Sequence, residues 1–233
     1  MKRRNFLKFA SVASVPFHIS KNSLLGKEAP SNKITIGMIG TGNHGIHRNL
    51  NMFLRQNDAR VIAVCDVFKS RMLKAQSMTD GFYNSKGCSM HSDFRQILDR
   101  DDIDAVMIST PDHWHALMSS MAIRRGKDVI CEKPTLTVAE GRYISDLVKK
   151  TGKVFQTSTE DRSLFVYHRL AEAVRNGRIG KLNEIKVTLP AGKRFPNENP
   201  VEVPNDLDYD LWLGPAPDAP YTPSRTKQQH WRH

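Results

Sequence analysis

KITIGMIGTGNHG, residues 33–45, decides the fold. Lys33 to Gly40 is a short, nearly continuous apolar run that halts at a glycine, the pattern of a strand covered on both faces. Gly40-Thr41-Gly42-Asn43-His44-Gly45 then spells G-x-G-x-x-G, and GIHRNLNMFLRQ, residues 45–56, reads as the helix that follows. The motif carries weight only between a strand and a helix, and here it has both neighbours. Gly40 permits the tight turn, Gly42 lets backbone approach a pyrophosphate, and Gly45 allows the helix to pack close to the strand. The helix start offers unpaired N–H groups and a positive dipole end to the phosphates, beside Asn43 and His44.

Moving outward, strand-like and helix-like segments alternate. RVIAVCD (60–66) is a second strand, followed by a helical stretch from Phe68 to about Met78. GFYNSKGC (81–88) reads as a loop, DFRQILDR (93–100) as a short helix and IDAVMIST (103–110) as a strand. DHWHALMSSMAIRRG (112–126) is a helix with Trp114, Leu117, Met118 and Met121 on one face. DVIC (128–131) is a strand, Thr137 and Glu140 form a capping box that opens a helix ending near Gly152, and KVFQTS (153–158) is one more strand. Short, continuous apolar strands alternating with helices predict an α/β Rossmann-type domain, a doubly wound parallel sheet, over residues 31–160.

The pattern changes beyond residue 160. SLFVYHRLAEAVRNG (163–177) is helical, with Leu164, Tyr167, Ala171 and Val174 on one face. NEIKVTLP (183–190) alternates, with Ile185, Val187 and Leu189 on one side, which predicts a half-exposed strand of an antiparallel sheet. A proline-rich stretch follows, and HWRH closes the chain. Residues 161–233 therefore read as the start of an incomplete α+β domain.

The 233 residues carry a formal charge of +11. Six basic residues against Glu28 put +5 of it in residues 1–30 and leave +6 spread over the rest, with no basic stripe to suit nucleic acid. MKRRNFLKFASVASVPFHIS is too short and too polar to span a bilayer. Arg3-Arg4-Asn5-Phe6-Leu7-Lys8 resembles a twin-arginine signal, which predicts export, to the periplasm or otherwise out of the cytoplasm, without a membrane anchor. Cys65, Cys88 and Cys131 form no paired spacing and predict no disulfide framework.

Ligands of open α/β sheets bind beyond the carboxyl ends of the strands. Asp66 ends the second strand 21 residues after Gly45, where an acid can hold a ribose 2′-hydroxyl, so NAD is expected over NADP, with Lys69 and Arg71 nearby moderating that preference. Ser109-Thr110-Pro111-Asp112-His113-Trp114-His115 emerges beside the glycine loop. His113 and His115, like His44 with His47 and His230 with His233, lack the spacing of a completed metal site, and pocket or surface roles are expected instead. CEKP (131–134) delivers Glu132 and Lys133 into the same crevice. A buried lysine beside a nicotinamide ring can bond a substrate hydroxyl and take its proton as hydride leaves carbon. Glu132 can bind the nicotinamide ribose or orient Lys133, and Pro134 fixes the turn.

IGMIGTGNHG, CDV, STPDHWHA, CEKPT, RNGRIGKLNEIKV and DYDLWLGPAP together resemble the Gfo/Idh/MocA oxidoreductases, notably their exported, sugar-acting members. The resemblance implies that Lys133 is catalytic, that Thr110, Pro111, Trp114, His115 and Glu132 line the nicotinamide half of the site, and that Asp66 serves the adenosine ribose; Ser109 and His113, in the same stretch, are expected to bind the cofactor with them. It implies a carbohydrate substrate, a homo-oligomer in the full-length form, and either net dehydrogenation or the transient oxidation used by NAD-dependent glycosidases. The family's large antiparallel sheet, with the acid and histidine that complete its active site, has no counterpart before residue 233. The sequence accordingly reads as an incomplete chain, and a nucleotide-binding domain without catalysis is the alternative. Glu160 and Asp161 stand where relatives often have amides.

Overall fold

Six strands run parallel in the order β3-β2-β1-β4-β5-β6. They are β1 (Ile34–Ile39), β2 (Ala59–Cys65), β3 (Ser89–His91), β4 (Ala105–Ile108), β5 (Asp128–Glu132) and β6 (Phe155–Ser158). The computed structural model describes residues 32–189, 191, 197–227 and 230; Arg3, Arg4 and His233 lie outside them. This order reverses between β1 and β4, so a crevice opens at the carboxyl ends of those two strands.

Each central strand feeds two cores. From β1, Ile36 and Met38 join one, with Leu50, Val61 and Met107; Ile39 joins the other, with Ala63, Val106, Ile108 and Trp114. Burial on both faces explains why the strands lack the apolar–polar alternation of a one-sided sheet.

The helices are α1 (Asn51–Leu54), α2 (Lys69–Tyr83), α3 (Phe94–Leu98), α4 (Asp112–Arg124), α5 (Val138–Thr151), α6 (Phe165–Arg175) and α7 (Tyr209–Leu213). The capping box at the start of α5 is present in both directions, and Gly152 closes the helix at φ +69°. Several expectations change. The segment after the glycine loop is a π-turn, Gly45–Leu50, before it becomes α1. The helix expected to end near Met78 runs to Tyr83, because the Tyr83 hydroxyl accepts from Val61 N–H at 3.1 Å and its ring lies under Arg60. β3 was not evident as a strand: it is three residues long and only partly buried. On α4, Leu117 faces outward at 42% exposure, while His115, Met118, Ser119 and Ala122 face in with Trp114.

Asn183–Leu189 forms no strand among the described residues. Its alternation is real, but a strand needs a partner edge, and Ile185, Val187 and Leu189 stay more than 70% exposed. The chain returns to the sheet further on. Asp206 accepts from Lys69 N–H through its carbonyl and from Ser70 N–H through its carboxylate, and Asp208 N–H donates to Val67 O. Leu207, Tyr209, Trp212, Leu213 and Tyr221 form a third core against Val67 and Phe68. No described helix is long and apolar enough to cross a membrane.

Candidate active site

A cleft of about 730 Å³ opens at the carboxyl ends of the strands, within the usual size range of small-molecule sites. It gathers Gly40, Gly42, Asn43, His44 and Gly45 from the loop after β1, and Asp66 from the end of β2. Ser109, Thr110, Pro111, Trp114 and His115 come from β4 and α4, and Glu132 and Lys133 from β5. Of the residues expected in the site, only His113 is not in its wall: its Nε2 meets the Trp212 carbonyl oxygen at 3.0 Å, and burial pushes its pKa down.

The three glycines do different work. Gly40 sits at φ +89°, and a Cβ there would lie 2.7 Å from the Ser109 backbone. A Cβ on Gly45 would lie 2.3 Å from the Gly40 carbonyl oxygen. On Gly42 it would meet only Arg71 Nη1, at 3.7 Å, on the cleft side. Two glycines therefore close the turn, and the third leaves a face where a ligand's backbone can approach, as a pyrophosphate requires.

Asp66 turns into this loop. Its Oδ2 accepts from Thr41 N–H at 2.6 Å and from the Thr41 hydroxyl at 3.1 Å, and its Oδ1 accepts from Phe68 N–H at 2.8 Å. Burial raises its pKa, against the lowering by those bonds and by Arg71. Arg71, stacked over Phe68 at 3.7 Å, shares the cleft wall.

At the other end, Glu132 Oε1 accepts from Asn49 Nδ2 at 2.9 Å and lies 3.0 Å from His44 Nε2. Asn49, 5% exposed, also donates to Ser109 Oγ at 2.8 Å. Its part was not visible in the sequence, because it is the π-turn that brings it over β4 and β5. Glu160 Oε1 lies 3.6 Å from His44 Nε2 and 3.8 Å from Arg48 Nε. His44, Glu132 and Glu160 thus bring ligand-type atoms within 4.8 Å of one another, a grouping the sequence spacing did not suggest. Thr110 Oγ1 is buried with no hydrogen-bond partner in the cleft wall, an orphan that a bound ligand can satisfy. Lys133 is exposed, contrary to the burial expected of it, and the Lys133–Pro134 peptide is cis. Burial raises the thiol pKa values of Cys88 to about 11 and Cys131 to about 12, and that of Cys65 further, so all three are inert hydrophobes.

Trp212 was also missed. Its carbonyl oxygen accepts from Trp114 Nε1 at 3.1 Å as well as facing His113, and with Leu211 and Thr226 it walls the cleft. Sequence distance hid it; its own motif, DYDLWLGPAP, gives no pairing.

Residues 34–159 match the family model described as oxidoreductase family, NAD-binding Rossmann fold (GFO_IDH_MocA), and residues 189–232 match the companion model of a C-terminal alpha/beta domain. A glycosyl hydrolase family 109 protein of Solibacter usitatus is 33% identical over 143 residues, 57% of this chain and 32% of its own length. A D-glucoside 3-dehydrogenase of Escherichia coli is 29% identical over 153 residues, 65% of this chain and 42% of its own. The chain thus spans less than half the length of these curated relatives. Among solved structures, myo-inositol 2-dehydrogenase from Lactobacillus plantarum superposes with a TM-score of 0.57 at 24% identity, covering 64% of this chain and 43% of that one. A 3-ketoreductase from Actinomadura kijaniata in complex with NADP does so with 0.57 at 22%, covering 64% and 46%. These two likenesses speak to the fold.

Proposed function

The chain belongs to the Gfo/Idh/MocA oxidoreductase family, and on that premise we propose that its cleft binds NAD or NADP and serves hydride transfer to or from a carbon of a sugar or polyol. The observation that carries this reading is the convergence of the glycine loop, Ser109-Thr110-Pro111 and Glu132-Lys133 on one cleft. When bound, the dinucleotide supplies the acceptor and donor of hydride.

This chain's residues supply the rest. Gly42 and the N–H groups at the helix start, beside Asn43 and His44, would hold the pyrophosphate. Asp66 and Arg71 face the adenosine ribose. With Asp66 already bonded to Thr41 and Phe68, the balance between a 2′-hydroxyl and a 2′-phosphate rests on both residues. Glu132, fixed through Oε1 by Asn49, presents its carboxylate to the nicotinamide ribose. Lys133 Nζ bonds the substrate hydroxyl and takes its proton.

Lys133→Met tests this in the longest native form of the protein. Dinucleotide binding should survive and sugar-dependent turnover should vanish; surviving turnover overturns the assignment.

A second reading rests on relatives named glycosyl hydrolase family 109 protein and, in Shewanella oneidensis, alpha-N-acetylgalactosaminidase. In this reading the sugar is oxidised transiently and the dinucleotide is restored within each turnover. Net consumption of added NAD favours dehydrogenation, and product formation without consumption favours glycoside cleavage.

Export rests on Arg3-Arg4-Asn5-Phe6-Leu7-Lys8, and a two-domain organisation on the change of pattern near residue 160. Replacing Arg3 and Arg4 by lysine should retain the protein in the cytoplasm, and unchanged export would refute the signal. Oligomerisation of the full-length form is a matter for light scattering.

A further inference from the structure

His115 lies in the first turn of α4, 1% exposed, in the wall of the cleft. Its Nδ1 is 2.7 Å from the Pro134 carbonyl oxygen, and its Nε2 is 2.8 Å from the Thr110 carbonyl oxygen. A carbonyl oxygen only accepts, so each contact is a hydrogen bond only if the nitrogen carries a hydrogen, and a neutral imidazole has one such nitrogen. Turning the ring over would set carbon atoms against both oxygens and leave both carbonyls without these donors. Two acceptors on opposite edges of a buried ring therefore specify the doubly protonated form.

We propose that His115 is a positioning residue that carries a hydrogen on each ring nitrogen, ties Thr110 to Pro134, and sets a fixed positive charge in the cleft wall at the nicotinamide end. The charge effect rests on the dinucleotide reading above; the clamp does not.

The surroundings weigh in its favour. On its own helix the nearby titratable groups are Asp112 and His113, and Asp112 and His115 both act on His113. From β5 come Glu132, which together with Asp112 acts on the thiol of Cys131, and Lys133, which is exposed. The end of β4 offers only the Thr110 carbonyl, and α7 offers uncharged Trp212. The N-terminal dipole of α4 opposes a cation. The two carbonyl acceptors outweigh it, because a buried nitrogen facing an oxygen without a hydrogen between them is worse.

The clamp joins the two loops that flank the crevice, one from β4 carrying the orphan Thr110 hydroxyl and one from β5 carrying Lys133. The charge has a separate consequence. An oxidised nicotinamide ring is cationic and a reduced ring is neutral, so a fixed cation in the wall disfavours the oxidised form.

Nitrogen-15 NMR of the full chain near neutral pH tests the first part, with the His115 signals assigned by their absence in His115→Gln. Both ring nitrogens should appear protonated, and a neutral tautomer overturns the proposal. The second part is read from the ratio of the Kd values for NAD⁺ and NADH. His115→Gln should lower that ratio by on the order of tenfold, while any loss of affinity from the released clamp falls alike on NAD⁺, NADH and ADP-ribose, which lacks nicotinamide, and leaves the ratio untouched. An unchanged ratio overturns the charge effect. If the variant does not fold, the His115 nitrogens are assigned in the wild type by through-bond correlation to the His115 backbone, and the protonation is decided on those signals. If the wild type binds neither ADP-ribose nor a dinucleotide, the cofactor reading fails and the clamp is still judged by NMR.

Discussion

The Asn49 side-chain amide donates to Glu132 Oε1 at 2.9 Å and to Ser109 Oγ at 2.8 Å, so one buried residue from the turn after β1 spans the ends of β4 and β5. Asn49→Leu keeps the volume and removes both donors. Leaving these partners unsatisfied should cost about 1–3 kcal/mol in urea unfolding, and a freed Glu132 should weaken dinucleotide binding in calorimetry. Wild-type stability with wild-type affinity would remove Asn49 from the site.

Gly42 and Gly45 should separate binding from folding. Gly45→Ala forces a Cβ to 2.3 Å from the Gly40 carbonyl oxygen, a backbone atom that cannot yield. It should cost about 3 kcal/mol or more. Gly42→Ala meets only the far end of Arg71, at 3.7 Å. Its melting temperature should match the wild type while its dinucleotide affinity drops, since the methyl occupies the pyrophosphate's approach. Equal effects of the two on melting would contradict this division.

His113 predicts a pH effect on stability. Burial lowers its folded-state pKa below the ordinary histidine value of 6.5, so the unfolded chain binds the proton more readily. Stability from this residue is therefore complete above about pH 6.5 and is lost as pH falls from there towards the folded value. Urea unfolding at pH 7.5 and pH 5 should show His113→Gln losing less stability on acidification than the wild type. Identical slopes would exclude His113 as a contributor.

Gly214 holds φ +49°, and a Cβ there would reach 2.0 Å from Trp114 Cζ2. The indole is fixed by its bond to the Trp212 carbonyl and by an edge contact with Phe94. Gly214→Ala should destabilise by about 3 kcal/mol and shift the emission of Trp114 as α7 lifts. An unshifted spectrum with native stability would mean that α7 tolerates a different seat.

The doubly wound sheet was legible because its strands are written as unbroken apolar runs, each stopping at a residue that cannot continue it: Gly40, Asp66, Ser109. β3 was not, since Ser89, Met90 and His91 present no apolar run and gain their place from the edge of β2. The end of α2 was misjudged because Gly81 reads as a breaker, whereas the Tyr83 contacts with Val61 and Arg60 lie beyond any local window. On α4 the periodicity found the right helix but a face turned towards Leu117; the polar His115 sits inward, where its two carbonyl acceptors are. In the cleft, residues attached to motifs were readable. Asn49 and Trp212 were not, because a π-turn and a return of the chain after some fifty residues leave no periodic trace.

That return carries a consequence for biosynthesis. All six strands and most of the cleft are encoded before residue 159, but Leu211, Trp212 and Thr226 complete the wall. At a synthesis rate of roughly 5–20 residues per second, the sheet can be assembled seconds before α7 leaves the ribosome. During that interval the nascent cleft lacks the side that Trp212 supplies when it settles against His113 and Trp114.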